Sequence, residues 1–351
     1  MEVAKTKKDI RQLDLEELTK YFVEIGEKPF RAKQVYEWLW KKGATHFEDM
    51  SNLSKELREK MDTHFEIKFL TVAEEQKSAD RTIKSAFKLY DNSVVEGVLI
   101  PSKKRMTACI SSQVGCSLNC DFCATGKLKR VRNLSAGEIY DQVVRINQQA
   151  IDNYDLPLSS IVYMGMGEPL LNYKNVLQSV HYITSEEGLA MSPKRITIST
   201  AGIAKLIKKL GDDEVRFNLA VSLHAGNDKK RSKIMPINDT NTLEALAEAL
   251  IYFHEKTGTR VTYEYCIFKD YNDTLEDARE LAEFCKHVPC KVNIIEYNSI
   301  DGGIYNQADA KDVDAFAEYL ESKSIIVNIR RSRGKDIDAA CGQLANKNDV
   351  A

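Results

Sequence analysis

Cys116-Ser-Leu-Asn-Cys120-Asp-Phe-Cys123 places three cysteines at C-x3-C-x2-C spacing in one short stretch. This spacing lets a single loop bind three irons of a cubane cluster and leave the fourth iron open for chemistry. A structural zinc site is instead closed by four ligands, usually in paired C-x2-C units, and the sequence has no second pair. Three unrelated buried thiols are the remaining alternative. The stretch therefore predicts an iron–sulfur cluster with one open position.

Around this loop, apolar runs alternate with amphipathic stretches. Repeated strand–helix units with nearly continuous apolar strands are typical of a parallel sheet covered by helices. The pattern predicts an α/β fold, with the sheet either open or closed into a barrel. The predicted strands are 106–111, 160–165, 195–200, 217–223, 261–267, 291–297 and 325–330. The predicted helices lie near 135–150, 173–186, 202–210, 242–257, 274–286 and 309–323.

The N-terminal region has a different pattern. Residues 9 to about 72 have helical periodicity, and Gly26 and Gly43 stand where helices would end. From Thr82 the period changes to two, which predicts a hairpin whose second strand spans residues 94–100. The hairpin would connect a small helical unit to the α/β region.

Composition sets limits on partners and location. The 351 residues carry 50 basic and 52 acidic side chains, so any RNA contact must come from local basic patches. No apolar stretch is long enough for a membrane span, and the N-terminus lacks a secretory signal. We therefore expect a cytoplasmic protein without a membrane partner. In that reducing compartment we expect packing roles for Cys266, Cys285 and Cys290.

Polar residues follow several predicted strands, where ligands collect in parallel α/β folds. In Gly165-Met-Gly-Glu168 the glycines would allow close backbone approach, and Glu168 can accept hydrogen bonds from an ammonium group. Ordinary strand ends would look the same. The other candidates of this kind are Ser199, Ser222, Leu223, His224 and Asn298.

Two basic runs lie beside the cysteine motifs. Residues 127–132 directly follow the cluster loop, and residues 330–335 precede Cys341. Charge runs are usually solvated surfaces, but the position of these two favours contacts with phosphate.

The cysteine spacing, with Phe122 before the third cysteine, resembles the radical S-adenosylmethionine superfamily. Further motifs resemble the bacterial dual-specificity ribosomal and transfer RNA adenine-carbon-2 methyltransferases, over nearly the whole chain. They are Cys109, Cys341 in Ala339-Ala-Cys-Gly-Gln343, Val95-Glu-Gly-Val-Leu-Ile-Pro101, Gly165-Met-Gly-Glu-Pro169 and Met235-Pro-Ile-Asn238.

This resemblance implies a fold and a set of ligand contacts. The implied fold is a partial (β/α)6 barrel that spans residues 82–351 and begins with the hairpin. An accessory RNA-binding helical domain and a linker precede it at residues 1–81. A [4Fe–4S] cluster on Cys116, Cys120 and Cys123 chelates S-adenosylmethionine. The implied cofactor contacts are Gly167, Glu168, Ser199, Ser222, Leu223, His224 and Asn298.

The resemblance also implies a mechanism that uses two S-adenosylmethionine molecules per turnover. Cys341 takes a methyl group from the first molecule. Reductive cleavage of the second gives a 5′-deoxyadenosyl radical, which removes hydrogen from that methyl group, and the carbon radical adds to adenine. Glu96 then removes the ring proton as general base, and Cys109 attacks the sulfur of Cys341 to form a disulfide. The implied partners are 23S ribosomal RNA, transfer RNA and a flavodoxin-type electron donor.

Three other functions remain open at this point. A relative that methylates carbon 8 of the same ribosomal adenosine shares the cysteines, although Glu168-Pro-Leu170, residues 96–99 and the lysine-containing N-terminal region favour carbon 2. A radical activase or sulfur-inserting enzyme would need a peptide partner or a second cluster. A non-catalytic iron–sulfur RNA-binding protein would leave Cys109, Glu96 and Cys341 without a role.

Overall fold

The computed structural model describes residues 7–346 and begins with a small helical unit. Its elements are β1 (Lys8–Asp9), α1 (Leu15–Glu24), α2 (Phe30–Trp40), α3 (Lys55–His64) and β2 (Phe65–Glu66). Asp14 and Glu17 form a capping box at the start of α1. Gly26 and Gly43 have left-handed φ values of +81° and +66° just beyond α1 and α2, which suits glycine. The predicted helices and their ends are confirmed.

An antiparallel region follows, made of β3 (Thr71–Lys77), β4 (Ile83–Lys88), β5 (Val94–Ser102) and β6 (Arg105–Cys109). The hairpin of β4 and β5 confirms the prediction from the two-residue period. Strand β3 was missed and lies where a linker was expected. The charged sequence of β3 does not indicate a strand, because β3 is an edge strand whose side chains are mostly exposed.

The rest of the chain continues the same ten-stranded sheet. Its order is β14-β13-β12-β11-β10-β9-β6-β5-β4-β3. Seven neighbouring strands of this sheet are parallel to one another: β6, β9, β10, β11, β12, β13 and β14. The elements are β7 (Gln113–Val114), α4 (Ala124–Lys127), β8 (Arg132–Asn133), α5 (Ala136–Tyr154), β9 (Ser160–Tyr163), α6 (Tyr173–Thr184), β10 (Ile196–Thr200), α7 (Ala204–Asp212), β11 (Asn218–Ser222), α8 (Asp228–Ile234), α9 (Leu243–Thr257), β12 (Val261–Ile267), α10 (Leu275–Phe284), β13 (Cys290–Glu296), α11 (Ala310–Ser322) and β14 (Ile326–Arg330).

Six strand–helix units followed by β14 confirm the predicted partial (β/α)6 barrel. Every residue of β12 is buried, as expected for a strand covered on both faces. The loops at the carboxyl ends of the parallel strands therefore meet at one edge. Within residues 7–346, no helix is long and apolar enough to span a membrane.

The helical unit packs on the outside of the barrel, against α5 and α6. The Trp40 ring stacks on Tyr182 with centroids 3.6 Å apart and meets Tyr140 edge-on at 5.3 Å. Arg11 forms a buried ion pair with Asp141 at 2.8 Å. Such aromatic pairs each contribute about 0.5–1.5 kcal/mol beyond the burial of their area. These contacts fix the helical unit against the barrel.

Candidate active site

The three motif cysteines line one cavity at the carboxyl edge of the barrel. Gly115 precedes them with φ +71°, and a side chain there would collide with the backbone of Lys129, so the loop needs glycine. Burial raises the pKa of the Cys120 thiol, and the neighbouring thiols of Cys123 and Cys116 raise it further. A positively charged iron cluster would reverse this penalty by binding the thiolates.

The spacing of these thiols fits a cluster better than a single ion. Within residues 7–346, no three His, Cys, Asp or Glu side chains converge as ligands of one metal ion. Cubane thiolates bind different irons and therefore stand farther apart than ligands of one ion. The three motif thiols stand together in one loop at the wall of this cavity, as expected for a cluster with an open iron.

Five of the predicted cofactor contacts line the same cavity, and the structure brings them together from the ends of three strands, β9, β10 and β11. Gly167 has φ +94°, and a side chain there would collide with Gln113, so this glycine is required by the local packing of the chain. We expected it to serve close approach to a ligand. The five contacts are Gly167, Glu168, Ser199, Ser222 and His224.

Glu168 presents a buried carboxylate to this cavity. One oxygen accepts from the N–H of Leu170 at 2.9 Å, and the other accepts from the N–H of Ala201 at 2.8 Å. Burial raises its pKa, while these hydrogen bonds oppose the shift. In the described part of the chain no Lys or Arg forms an ion pair with it, and each oxygen can accept a further hydrogen bond. The carboxylate therefore fits the ammonium group of a methionine moiety.

His224 adopts a left-handed φ of +59° two residues beyond the end of β11. Its Nδ1 accepts the N–H of Cys266 at 2.8 Å, which places the ring proton on Nε2. Burial, assisted by Arg231, lowers its pKa to about 3. The ring meets Phe122 edge-on with centroids 4.6 Å apart. His224 is therefore a neutral imidazole held in one tautomer beside the cysteine loop.

Two predicted contacts lie outside the lining of this cavity. Leu223 is fully buried, and its N–H donates to the carbonyl of Glu264 at 3.0 Å. Asn298 donates from Nδ2 to the carbonyls of Glu296 at 3.3 Å and Cys341 at 3.4 Å. Its Oδ1 is buried without a partner among residues 7–346, so one acceptor is available. Asn298 thus contacts the segment that carries Cys341.

Cys109 and Cys341 line a second cavity of about 460 Å³, within the usual size range of ligand pockets. Cys109 is buried at the end of β6, whereas Cys341 is exposed, and both are free thiols. Burial raises the pKa of Cys109 to about 12; Cys341 adds to the rise and Arg330 opposes it. Cys341 also lines the first cavity. It therefore stands where the two cavities adjoin.

Glu96, which the resemblance implies as the general base, lies on β5 and outside the lining of both cavities. It is 1% exposed. Its Oε1 is 3.4 Å from Lys84 Nζ, and its Oε2 accepts the N–H groups of Ala345 at 2.8 Å and Asn346 at 3.1 Å. Sequence reasoning missed Lys84, because the alternating pattern of β4 does not indicate that this lysine is buried. In this structure the carboxylate anchors the C-terminal segment.

The two basic runs differ in what their charges contact. Arg132 pairs with Asp91 at 2.6 Å and Glu138 at 2.8 Å, so it is held by the protein itself. Arg330 pairs with Glu264 at 3.2 Å and lines the second cavity. The same cavity is lined by three more arginines, of which Arg331 is paired with Glu296: Arg105, Arg331 and Arg333. The C-terminal run is thus the better placed for phosphate.

Comparisons with known proteins agree with this geometry. Residues 8–67 match the family described as Ribosomal RNA large subunit methyltransferase N-terminal domain, and residues 110–285 match the Radical SAM superfamily. The relative from Christiangramia forsetii, named probable dual-specificity RNA methyltransferase RlmN, is 59% identical over 97% of this chain and 97% of its own length. A Bacillus subtilis protein of the same name is 43% identical over 96% and 93%. The crystal structure of a radical SAM methyltransferase from Sphaerobacter thermophilus is similar with a TM-score of 0.91 and 36% identity, covering 96% of this chain and 99% of that chain.

Proposed function

Because the chain belongs to the RlmN family of dual-specificity RNA methyltransferases, we propose that it methylates carbon 2 of an adenosine in the peptidyl-transferase centre of 23S ribosomal RNA and of the adenosine 3′ to the anticodon in transfer RNAs. It is a radical S-adenosylmethionine enzyme that acts on RNA and uses a [4Fe–4S] cluster. Carbon 2 is electron-poor and carries an unactivated hydrogen. It therefore cannot act as the nucleophile that ordinary methyl transfer from S-adenosylmethionine requires. Radical chemistry solves this problem.

Cys116, Cys120 and Cys123 would hold the cluster, and Gly167, Glu168, Ser199, Ser222, Leu223, His224 and Asn298 would surround S-adenosylmethionine. With an electron from a flavodoxin-type donor, the bound cluster and cofactor supply a radical that removes one hydrogen atom. Glu168 would bind the ammonium group, because its buried carboxylate has no cationic partner among the described residues. The neutral His224 can offer its Nε2 proton without adding charge.

Cys341 would carry the methyl group, because it lines both cavities. A group on its sulfur faces the cluster cavity on one side and the arginine-lined cavity on the other. This single observation carries the proposal. Two molecules of S-adenosylmethionine are then consumed per product, one as methyl donor and one as radical source.

Glu96 and Cys109 would release the product. Glu96 takes the proton from carbon 2 once the C-terminal segment has left its carboxylate. The unpaired electron left on the adduct by radical addition would return to the cluster before this proton leaves. The Cys109 thiolate then attacks the sulfur of Cys341; the sulfur–sulfur bond forms as the carbon–sulfur bond breaks, and the electron pair stays on the released carbon, which takes up a proton to become the methyl group. An external dithiol must reduce the disulfide before the next turnover. The shared cavity of Cys109 and Cys341 supports this pairing.

The decisive experiment compares Cys341→Ala with Cys109→Ala under single-turnover conditions. Cys341→Ala should form neither methylated protein nor RNA adduct. Cys109→Ala should accumulate a covalent protein–RNA species, which nuclease trims to a nucleotide-sized mass on Cys341. Free methylated RNA at near-normal yield from Cys109→Ala would remove Cys109 from the mechanism. Chromatography of the modified nucleoside against authentic 2-methyladenosine and 8-methyladenosine separates carbon 2 from carbon 8, because the two isomers have the same mass.

A further inference from the structure

A second pair of cysteines lies away from the proposed active site. Cys285 directly follows α10 and Cys290 begins β13, so both lie at the end of the barrel opposite the cluster loop. The Cys290 thiol donates to the carbonyl oxygen of Cys285 at 3.6 Å, and both residues line the same cavity. The packing role that we expected from sequence is confirmed, because Cys285 belongs to the hydrophobic core and Cys290 packs against it, and both residues also line a cavity.

The cavity beside them is basic and large enough for a small peptide, at about 550 Å³. Arg279 and Lys286 pair with Glu276 and Glu283. Arg260 has no carboxylate partner within the described residues. Together with Lys323, these side chains give the cavity wall an excess of positive charge. Such a wall raises the local concentration of anions.

The environments of the two thiols differ. Cys290 is half-buried, and its pKa is lowered by the hydrogen bond from Cys285 and by Arg260, against the effect of burial. Cys285 is 7% exposed, and its pKa is raised by the hydrogen bond to Cys290 and by burial. A thiolate is the attacking form, so Cys290 is suited to attack and Cys285 to follow.

We propose that Cys290 and Cys285 form a thiol–disulfide exchange site for an anionic low-molecular-weight disulfide. The Cys290 thiolate attacks one sulfur of that disulfide, and half of the molecule leaves as a thiolate. Cys285 then loses its proton to solvent and attacks the Cys290 sulfur, which expels the second half. The protein dithiol is oxidised by two electrons, and the small disulfide is reduced to two thiols. This site is independent of the methylation proposal, because it shares no residue with that mechanism.

Trypsin gives a direct test, because Lys286 lies between the two cysteines. Holoenzyme is incubated anaerobically with oxidised glutathione, alkylated and digested. The expected product is peptide 280–286 joined to peptide 287–291. Cys285→Ser should instead retain glutathione on Cys290, and Cys290→Ser should form neither species. Absence of the joined peptides in the wild-type protein, or a lasting glutathione adduct there, would overturn the exchange site.

A second arm tests the preference for anions. Arg260→Gln should slow the reaction with oxidised glutathione about tenfold more than the reaction with the cationic disulfide cystamine. A loss of thiolate alone would slow both reagents equally, so an unchanged ratio would refute anion recruitment. Cys266→Ser, which changes a buried cysteine elsewhere, should react as the wild type does. Absorbance of the cluster checks that each variant is folded and loaded.

Discussion

The Glu96 carboxylate accepts the backbone N–H of Ala345 at 2.8 Å, so the proposed general base is bonded to the segment that carries Cys341. The same segment is held by the N–H of Ala124 on the Gly342 carbonyl at 2.7 Å and by the Thr125 hydroxyl on the Leu344 carbonyl at 2.6 Å. A carboxylate oxygen that accepts two N–H groups is poorly placed to take a proton from RNA. The C-terminal segment must therefore leave Glu96 before this carboxylate can act as the general base.

Glu96→Gln should separate anchoring from proton removal. The glutamine oxygen still accepts the N–H of Ala345, but the amide cannot act as a base. We expect the covalent protein–RNA adduct to accumulate and release of methylated RNA to slow by about 10²-fold or more. A denaturing gel and nucleoside mass spectrometry measure both. The matched control is Glu74→Gln on edge strand β3, and normal release from Glu96→Gln would show that another group takes the proton.

The sequence predicted the elements with strong periodicity and the residues with unusual spacing. The apolar strands of the barrel and the cysteine loop belong to this group. It could not predict the edge strand β3, because exposed charged residues carry no strand signal. Nor could it predict the contact between Glu96 and Ala345, which joins distant parts of the chain through a backbone donor. The ion pairs of Arg132 were missed for a similar reason, since a charge run does not identify its partners.

Cys120→Ala should abolish both the electron paramagnetic resonance signal of the reduced cluster and the cleavage of S-adenosylmethionine. The loss follows because one iron of the cluster would have no thiolate. Cys266→Ala is a matched control, since Cys266 is buried and lines the same cavity without belonging to the motif. It should retain the signal. Full cleavage by Cys120→Ala would contradict the assigned ligand set.

The helical unit should contribute RNA affinity without chemistry. Lys33, Lys41 and Lys42 are exposed on or just after α2, and Lys42 lies 3.8 Å from the centroid of the Trp38 ring. Changing all three to Glu should weaken RNA binding and flatten its salt dependence, because fewer counterions are released. Cleavage of S-adenosylmethionine without RNA should not change.

A control with the same change in charge uses Lys20, Lys28 and Lys55, which are exposed elsewhere on the helical unit. Titrations with transfer RNA at several salt concentrations compare the two triple variants. Equal losses would mean that the net charge of the unit matters and that the α2 lysines form no specific contact surface.

Release of the product should accelerate with pH, because the resolving thiol is almost fully protonated near neutrality. Burial raises the pKa of Cys109 to about 12, so the thiolate fraction rises about tenfold for each pH unit below that value. If this thiolate limits release, the rate of adduct decay should increase about 100-fold from pH 7 to pH 9. Arg330 lowers the pKa of Cys109, so Arg330→Gln should slow decay at a given pH and keep the same slope. Rapid quenching of preformed adduct measures the rates, with Cys109→Ser as the variant that cannot decay by this route. A decay rate that is flat between pH 7 and pH 9 would show that Cys109 is already a thiolate in the adduct, or that it takes no part in release.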